Sequence, residues 1–117
     1  MFTYNAKLLK VVDGDTVDLR IDLGFKVFTE QRFRLAGINA PELHSKDPAE
    51  RERGKAATEH LKTLIMGEGQ LVVTTTLDKQ EKYGRFLARI TNGSGEDVNG
   101  EMVKAGHAKL YDGGKRE

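Results

Sequence analysis

The most regular pattern in the chain is an alternation of apolar and polar residues that begins at Thr16. Its polar members include Asp18, Arg20 and Asp22, and it ends at Gly24. Its apolar members are Val17, Leu19, Ile21 and Leu23. Because successive side chains of a strand point to opposite faces, this period predicts a strand that buries one face only.

Apolar segments on either side predict two more strands. Lys7 to Val12 is rich in Leu and Val and ends at Asp13-Gly14, a dipeptide favoured in tight turns. A third strand is expected from Phe25 to Ala36, with Arg34 pointing away from its apolar side and Pro41 ending the run. The residues expected on the apolar side are Phe25, Val27, Phe33 and Leu35.

The pattern becomes helical after Asp47. Asp47 followed by Pro48 is typical of an N-cap and a first helical residue. Apolar residues then recur with the spacing of one helix face, and Gly67 is expected to end the helix. These apolar residues are Ala57, Leu61, Leu64 and Ile65.

Two strands and a short helix are expected in the last part of the chain. The strands are predicted at Gln70 to Leu77 and at Tyr83 to Thr91, before a turn at residues 92–95. The second helix is expected to run from Asn99, interpreted as its N-cap, to Gly106, and an extended segment follows it.

The order of these elements indicates a fold. Three strands, a long helix, two strands and a short helix form the order of a five-stranded Greek-key barrel of the oligonucleotide-binding type (OB-fold). An α+β sandwich has the same order and stays open as an alternative. With 117 residues and no linker or repeat, residues 1–117 are expected to form one mainly β domain with helices.

The composition excludes several classes of protein. The chain is 38% hydrophobic and 32% charged, without a signal peptide or an apolar run of membrane length, so we expect a cytoplasmic, membrane-free monomer. It contains no cysteine, which excludes disulfides and thiolate metal sites. A net charge of +1 means that any contact with nucleic acid must be local.

Acidic and amide side chains cluster at two strand ends. Asp13 and Asp15 flank Gly14, although aspartates also favour turns for local hydrogen bonding alone. Asn39 and Glu42 follow the third strand. A hard cation could there collect Asp15, the side-chain oxygen of Asn39 and a backbone carbonyl such as that of Ala40. Ca²⁺ accepts such a mixed oxygen set, whereas Zn²⁺ prefers His or Cys.

Two arginines and one glutamate suit phosphodiester chemistry. The guanidinium groups of Arg34 and Arg85 match the oxygens of a phosphate that gains charge during attack. A single strand arginine more often covers surface with its aliphatic stem. Glu42 is the candidate base or water-positioning group. The histidines are interpreted as unpaired loop or helix-surface residues without a ligand role, and they are His44, His60 and His107.

In combination, these residues resemble the staphylococcal nuclease (thermonuclease) family over nearly the whole chain. The resemblance implies an OB-fold barrel and Ca²⁺-dependent hydrolysis of DNA and RNA, with little sequence specificity and 3′-phosphate products. The matching segments are Val12-Asp13-Gly14-Asp15-Thr16-Val17, Phe33-Arg34-Leu35, Pro41-Glu42, Lys82-Tyr83-Gly84-Arg85, Val98-Asn99 and Ala105-Gly106-His107-Ala108-Lys109.

The resemblance also implies roles for single residues. Asp15 corresponds to a metal ligand, Arg34 and Arg85 to the catalytic phosphate-binding pair, and Glu42 to the carboxylate that activates or orients water. Ala40 stands where the family uses a backbone carbonyl for the metal.

The resemblance also includes substrate contacts, and the sequence departs from the family at two points. Lys82 and Tyr83 match contacts to a nucleotide phosphate, and Tyr111 corresponds, with a register shift of about one position, to a tyrosine that stacks on the base. Asn39 stands where the best-known members have a metal-binding aspartate. The lower ligand charge predicts weaker metal binding. The family's C-terminal helix is shortened or missing, because the sequence stops soon after Tyr111.

The sequence thus leaves three hypotheses. The first is a nuclease acting on single-stranded DNA or RNA, or on locally opened duplex. The second is a catalytically inactive OB-fold module that binds nucleic acid or protein, favoured by Asn39 and by the near-neutral charge. The third and more distant one is a purely structural domain whose acidic turns are only turns.

Overall fold

Five strands close into a barrel in the computed structural model, which describes residues 2–67, 69–77 and 86–111. Two further short strands form a separate ribbon, and two helices pack outside the barrel. The strands are β1 (Phe2–Asp13), β2 (Thr16–Asp22), β3 (Phe28–Leu35), β4 (Ile38–Asn39), β5 (Leu71–Leu77), β6 (Phe86–Thr91) and β7 (Lys109–Leu110). The helices are α1 (Pro48–Ile65) and α2 (Val98–Lys104).

The strand order around the barrel is β1-β2-β3-β6-β5. Neighbouring strands are antiparallel except β3 and β6, which run parallel where Phe33 pairs with Phe86 and Leu35 with Ala88. The closed barrel, with α1 before β5 and α2 after β6, confirms the predicted OB-type fold. Closure also excludes the open α+β sandwich.

Strand β1 is longer than the predicted strand from Lys7 to Val12. It begins at Phe2 because its first residues pair with β5, from Phe2 opposite Thr75 to Ala6 opposite Leu71. Most of its length also pairs with β2, with register shifts that mark β-bulges. One strand thereby joins both sides of the barrel.

The start of the third strand was predicted wrongly. Gly24, Phe25 and Lys26 all have positive φ, at 82°, 57° and 62°, so the chain is still turning where the strand was expected. Strand β3 begins at Phe28, and Phe25 is fully exposed instead of sharing a buried face with Phe33. Val27 and Leu23, also expected on apolar faces, are about half exposed, at 52% and 43%.

Helix α1 begins as the sequence predicts. The side chain of Asp47 accepts a hydrogen bond from the backbone N–H of Ala49, and Pro48 is the first helical residue. The helix buries a face made mostly of small residues, namely Gly54, Ala57, Thr58, Leu61 and Ile65. No helix in the described part of the chain is long and apolar enough to cross a membrane.

The small residues of α1 allow two loops to lie directly against it. A β-carbon added to Gly14 would lie 2.7 Å from Cβ of Ala57 and 2.8 Å from Cβ of Ala40. One added to Gly54 would lie 2.7 Å from the backbone oxygen of Glu42. These approaches are closer than any β-carbon normally makes, so glycine is required at both positions.

Asn99 does not cap the second helix as predicted. The N-cap of α2 is Asp97, and Asn99 lies inside the helix with 1% of its surface exposed. Its Nδ2 donates to the backbone oxygens of Ala36 and Ala88, both at 2.9 Å, and its Oδ1 accepts from the N–H of Ile90 at 3.1 Å. Asn99 therefore joins α2 to β6 and to the end of β3.

Candidate active site

Asp15 is a buried carboxylate held at the start of β2. Its Oδ2 accepts from the N–H of Ala40 at 2.9 Å, and its Oδ1 accepts from Oγ1 of Thr16 at 3.0 Å. Its backbone oxygen accepts from the N–H of Leu35 at 2.8 Å. Only 7% of Asp15 is exposed, so these bonds fix the carboxylate between β2 and the end of β4.

Asp13 lies beside Asp15 at the other side of the turn. Its Oδ1 accepts from the N–H of Asp15 at 3.0 Å, which is the local turn bond expected of this residue type. Burial raises the pKa of Asp13 from 3.8 to about 6, and the hydrogen bond and negative charge of the Asp15 side chain add to the shift.

Arg34 faces away from the barrel core, as predicted. It pairs with Thr16 across β2 and β3, so it lies next to the aspartate turn. Its Nη2 donates to the backbone oxygen of Ile38 and to Oδ1 of Asn39, both at 3.2 Å. The guanidinium carbon lies 4.9 Å from the ring centroid of Tyr111, a cation–π contact. Two acceptors and an aromatic ring thus orient Arg34.

The aspartate turn, Arg34 and Glu42 line one cavity of ≈ 330 Å³, called here the acidic cavity. The described residues that line it are Asp13, Asp15, Thr16, Arg34, Ala40, Glu42, Leu43 and His44. Asp13 and His44 were not among the predicted site residues. Their only sequence signal is proximity, because Asp13 is two residues before Asp15 and His44 is two residues after Glu42.

Asn39 does not line this cavity. It lines a neighbouring cavity of ≈ 220 Å³, called here the basic cavity, and Ala40 lines both. Among the described residues, the basic cavity is lined by Asn39, Ala40, Pro41, Glu50, Arg53, Gly106, His107, Ala108 and Lys109. The predicted site residues Lys82, Tyr83 and Arg85 lie outside the described residues.

The interpretation of the histidines as unpaired is wrong for two of them. The rings of His60, on α1, and His107, after α2, stack with centroids 4.6 Å apart and planes inclined by 29°. They meet because α1 packs against α2 and the segment that follows it. A contact between residues so distant in sequence leaves no local sequence pattern.

The donor set of the acidic cavity fits a hard cation. Within the described ranges, no three Asp, Glu or His side chains converge as a ready metal ligand set. However, Asp13, Asp15 and Glu42 all line the same cavity, and carboxylate oxygens suit Ca²⁺ or Mg²⁺ better than Zn²⁺. A divalent cation would offset the negative charge of Asp15, which adds to the effect of burial in raising the pKa of Asp13. Water or substrate oxygens would complete its coordination.

Asp13→Asn is expected to stabilise the metal-free protein at neutral pH. The folded-state pKa of Asp13 lies above its usual value, so its stability contribution is complete below about pH 4 and is lost as pH rises through about 6. Asparagine keeps the acceptor for Asp15 and removes this loss. Because Asp13 is partly exposed, we expect a gain of about 1 kcal/mol at pH 8 and almost none at pH 4.

Urea denaturation in chelator at both pH values measures this gain. The matched control is Asp18→Asn, because the hydrogen bond from Arg32 lowers the pKa of Asp18. The exposed Asp18–Arg32 pair stabilises the fold at pH values above the usual pKa of aspartate, and this stabilisation is lost as the pH falls. The control should therefore lose stability at pH 8, and a loss in Asp13→Asn as well would contradict the assignment.

Comparisons with known proteins match a nuclease family model and several proteins named as nucleases. The family model described as Staphylococcal nuclease homologue matches residues 32–117. Endonuclease YhcR of Bacillus subtilis (strain 168) is 32% identical over 113 residues, which cover 92% of this chain and 9% of that protein. A protein named "Uncharacterized endonuclease" from Escherichia coli O157:H7 is 32% identical over 108 residues, covering 92% and 61%.

A third relative is the Thermonuclease of Staphylococcus intermedius. It is 30% identical over 104 residues, which cover 87% of this chain and 58% of that protein. The chain thus spans less than two thirds of the length of each of these three relatives.

Proposed function

The chain belongs to the staphylococcal nuclease homologue family, and from this premise we propose that it hydrolyses phosphodiester bonds of nucleic acid with a divalent cation. The observation that carries the proposal is the acidic cavity, where Asp15, Glu42 and Arg34 line one space. The proposed substrates are single-stranded DNA, RNA and locally opened duplex, cleaved with little sequence preference.

Arg34 is proposed to bind the phosphate. Its hydrogen bonds to described residues use Nη2, which leaves Nε and Nη1 available to phosphate oxygens. As water attacks phosphorus, negative charge grows on the non-bridging oxygens, and a fixed guanidinium group stabilises that charge. The resemblance assigns a second guanidinium, that of Arg85, to the same task.

Glu42 is proposed to orient the attacking water and accept its proton. Glu42 is an exposed residue that lines the acidic cavity together with Arg34, so a phosphate bound to the arginine would lie near it. The water oxygen bonds to phosphorus, the bond from phosphorus to the 5′-oxygen breaks, and that oxygen takes up a proton from solvent. The product carries a 3′-phosphate.

Ca²⁺ is the proposed cofactor. Asp15 would hold it, with the Asn39 side chain and the Ala40 carbonyl as the further ligands that the resemblance implies. When bound, Ca²⁺ would supply positive charge to neutralise the phosphate. Oδ1 of Asn39 accepts a hydrogen bond from Arg34, and its amide carries no charge, so we expect weaker metal binding than with aspartate.

The test is cleavage of a fluorescent single-stranded oligonucleotide with Ca²⁺, Mg²⁺, Mn²⁺ or chelator. Cleavage should require added metal, stop with chelator and return with excess Ca²⁺. Asn39→Asp should lower the half-saturating Ca²⁺ concentration by about tenfold, because it adds one negative ligand charge. Asn5→Asp on β1 makes the same charge change at an exposed position that lines neither cavity, and it should have no effect.

The second candidate function is a non-catalytic nucleic-acid-binding module. It is favoured by the uncharged Asn39 and by the Tyr111 ring beside Arg34, since aromatic rings next to basic groups bind single strands. Binding without cleavage under any metal, also in Asn39→Asp, would establish this module and refute the nuclease.

A further inference from the structure

Besides Asn39 and Ala40, the basic cavity is lined by groups that the proposed reaction does not use. Arg53 and Lys109 are cationic, His107 adds an imidazole, and Glu50 is the one acidic side chain among the described residues of the lining. The described residues of the adjoining acidic cavity have the opposite character, with three carboxylates and one arginine. Two adjoining spaces of opposite charge can therefore serve different parts of one ligand.

The two cavities adjoin beside the β4–β7 ribbon. Ala40 lines both, and Asn39, which lines the basic cavity, accepts a hydrogen bond from Arg34 of the acidic cavity. Asn39 also pairs directly with Lys109 across the ribbon. A phosphate bound at Arg34 would thus be connected to Lys109 through a single intervening residue, Asn39.

The cationic side chains of the basic cavity are accessible. Arg53 and Lys109 are exposed, and neither takes part in an ion pair among the residues that the structure describes. The described ion pairs are Arg32–Asp18, Lys55–Glu52 and Lys62–Glu59. Arg53 and Lys109 can therefore bind an external anion without first breaking such a pair.

The cavity also has a fixed wall. The ring of His107 stacks on His60, and the backbone N–H of His107 donates to the oxygen of Met102 at 3.0 Å. Ala108, the next residue, is 8% exposed and belongs to the core. The imidazole is thereby held at the cavity, whereas an ordinary surface histidine rotates freely.

We propose that the basic cavity binds the sugar-phosphate backbone of the polynucleotide next to the scissile phosphate, through Arg53, His107 and Lys109. The identity of the ligand rests on the proposed nuclease function. Guanidinium and ammonium groups bind phosphates without reading bases, so this subsite adds affinity for longer strands and no sequence preference.

The experiment compares two substrates that differ in reach. A dinucleotide with a single phosphodiester fills the acidic cavity alone, whereas a single strand of about 12 nucleotides extends into the basic cavity. The test variant is Arg53→Gln/Lys109→Gln. Its matched control is Lys55→Gln/Lys104→Gln, which removes the same charge from exposed positions that line neither cavity.

Binding is measured first, by fluorescence anisotropy in a Glu42→Gln background with Ca²⁺. The test variant should raise Kd for the long strand by about tenfold and reduce the slope of log K against log salt by about 1.4, because each single-strand phosphate contact contributes roughly 0.7. The control should stay within about twofold. With Glu42 intact, KM for the long strand should rise at unchanged kcat, and dinucleotide cleavage should not change.

Each other outcome has a defined meaning. Equal losses for both substrates, or a loss no larger than in the control, would overturn the subsite, as would a wild type that does not bind the long strand. If the wild type binds but no metal supports cleavage, the anisotropy result alone decides the subsite and the nuclease proposal fails separately. If the double variant unfolds at a lower temperature than the wild type, Lys109→Gln alone is measured instead. It should raise Kd for the long strand by about threefold.

Discussion

Arg34→Ala and Glu42→Gln should each lower kcat for oligonucleotide cleavage by about 10²–10⁴-fold. Arg34→Ala removes a guanidinium that is already oriented by Ile38, Asn39 and the Tyr111 ring, so its positive charge is lost where the transition state needs it. Glu42→Gln keeps the shape of the side chain and removes its ability to take a proton.

The measurement is single-turnover cleavage with saturating Ca²⁺, together with thermal melting to show that both variants fold. Arg34→Lys keeps the charge but not the planar fork, so it should remain severely impaired. Two control variants change residues outside the acidic cavity: Arg32→Ala on the same strand, where Arg32 binds Asp18, and Glu59→Gln on α1, where Glu59 binds Lys62. Near-normal cleavage by Arg34→Ala or Glu42→Gln would remove that residue from the mechanism.

Asn99→Ala should lower the free energy of unfolding by about 3–5 kcal/mol. The variant leaves the buried N–H of Ile90 without the acceptor it has in the wild type and removes a donor from the backbone oxygens of Ala36 and Ala88. It also opens a void at a position that is 1% exposed. Since small domains are stable by only about 5–15 kcal/mol, this loss is a large share of the total.

Urea denaturation measures the effect, and two comparisons locate its cause. Asn99→Asp keeps the size and one acceptor but cannot donate to Ala36 or Ala88, so it should also be strongly destabilised. Asn5→Ala changes an exposed asparagine of β1 and should stay within about 0.5 kcal/mol of the wild type. A loss below about 1 kcal/mol for Asn99→Ala would show that these bonds contribute little net stability.

Elements with a local cause were predictable from the sequence. The burial of Val17, Leu19 and Ile21 follows from the pattern of a strand with one solvent-exposed face. The start of α1 follows from Asp47 as N-cap and Pro48 as the first helical residue. In both cases, the deciding interactions lie within a few residues of one another. The side of β3 on which Arg34 lies followed from the same alternation.

Features fixed by tertiary contacts were not predictable. Asn99 has the composition of an N-cap, but its partners Ala36 and Ala88 come from two other strands. Phe25 was placed in a strand because it is apolar, whereas the backbone there still turns. Similarly, nothing local to Asn39 shows that this residue lines the basic cavity.

The candidate site was predictable in part for the same reason. The sequence placed Asp15, Arg34 and Glu42 at strand ends that a closed barrel brings together, and they do line one cavity. The roles of these residues remain predictions, as do those of Lys82, Tyr83 and Arg85, which lie outside the described residues.

Helix α1 supports both segments that carry the acidic residues of the cavity, the aspartate turn and the segment around Glu42. Gly14 and Gly54 let the aspartate turn and the Glu42 backbone rest against the same helix face without a flexible side chain between them. We therefore expect motions of the two segments to be coupled through the helix. On heating, we expect the carboxylates to lose their alignment in the same cooperative transition that releases the helix from the barrel.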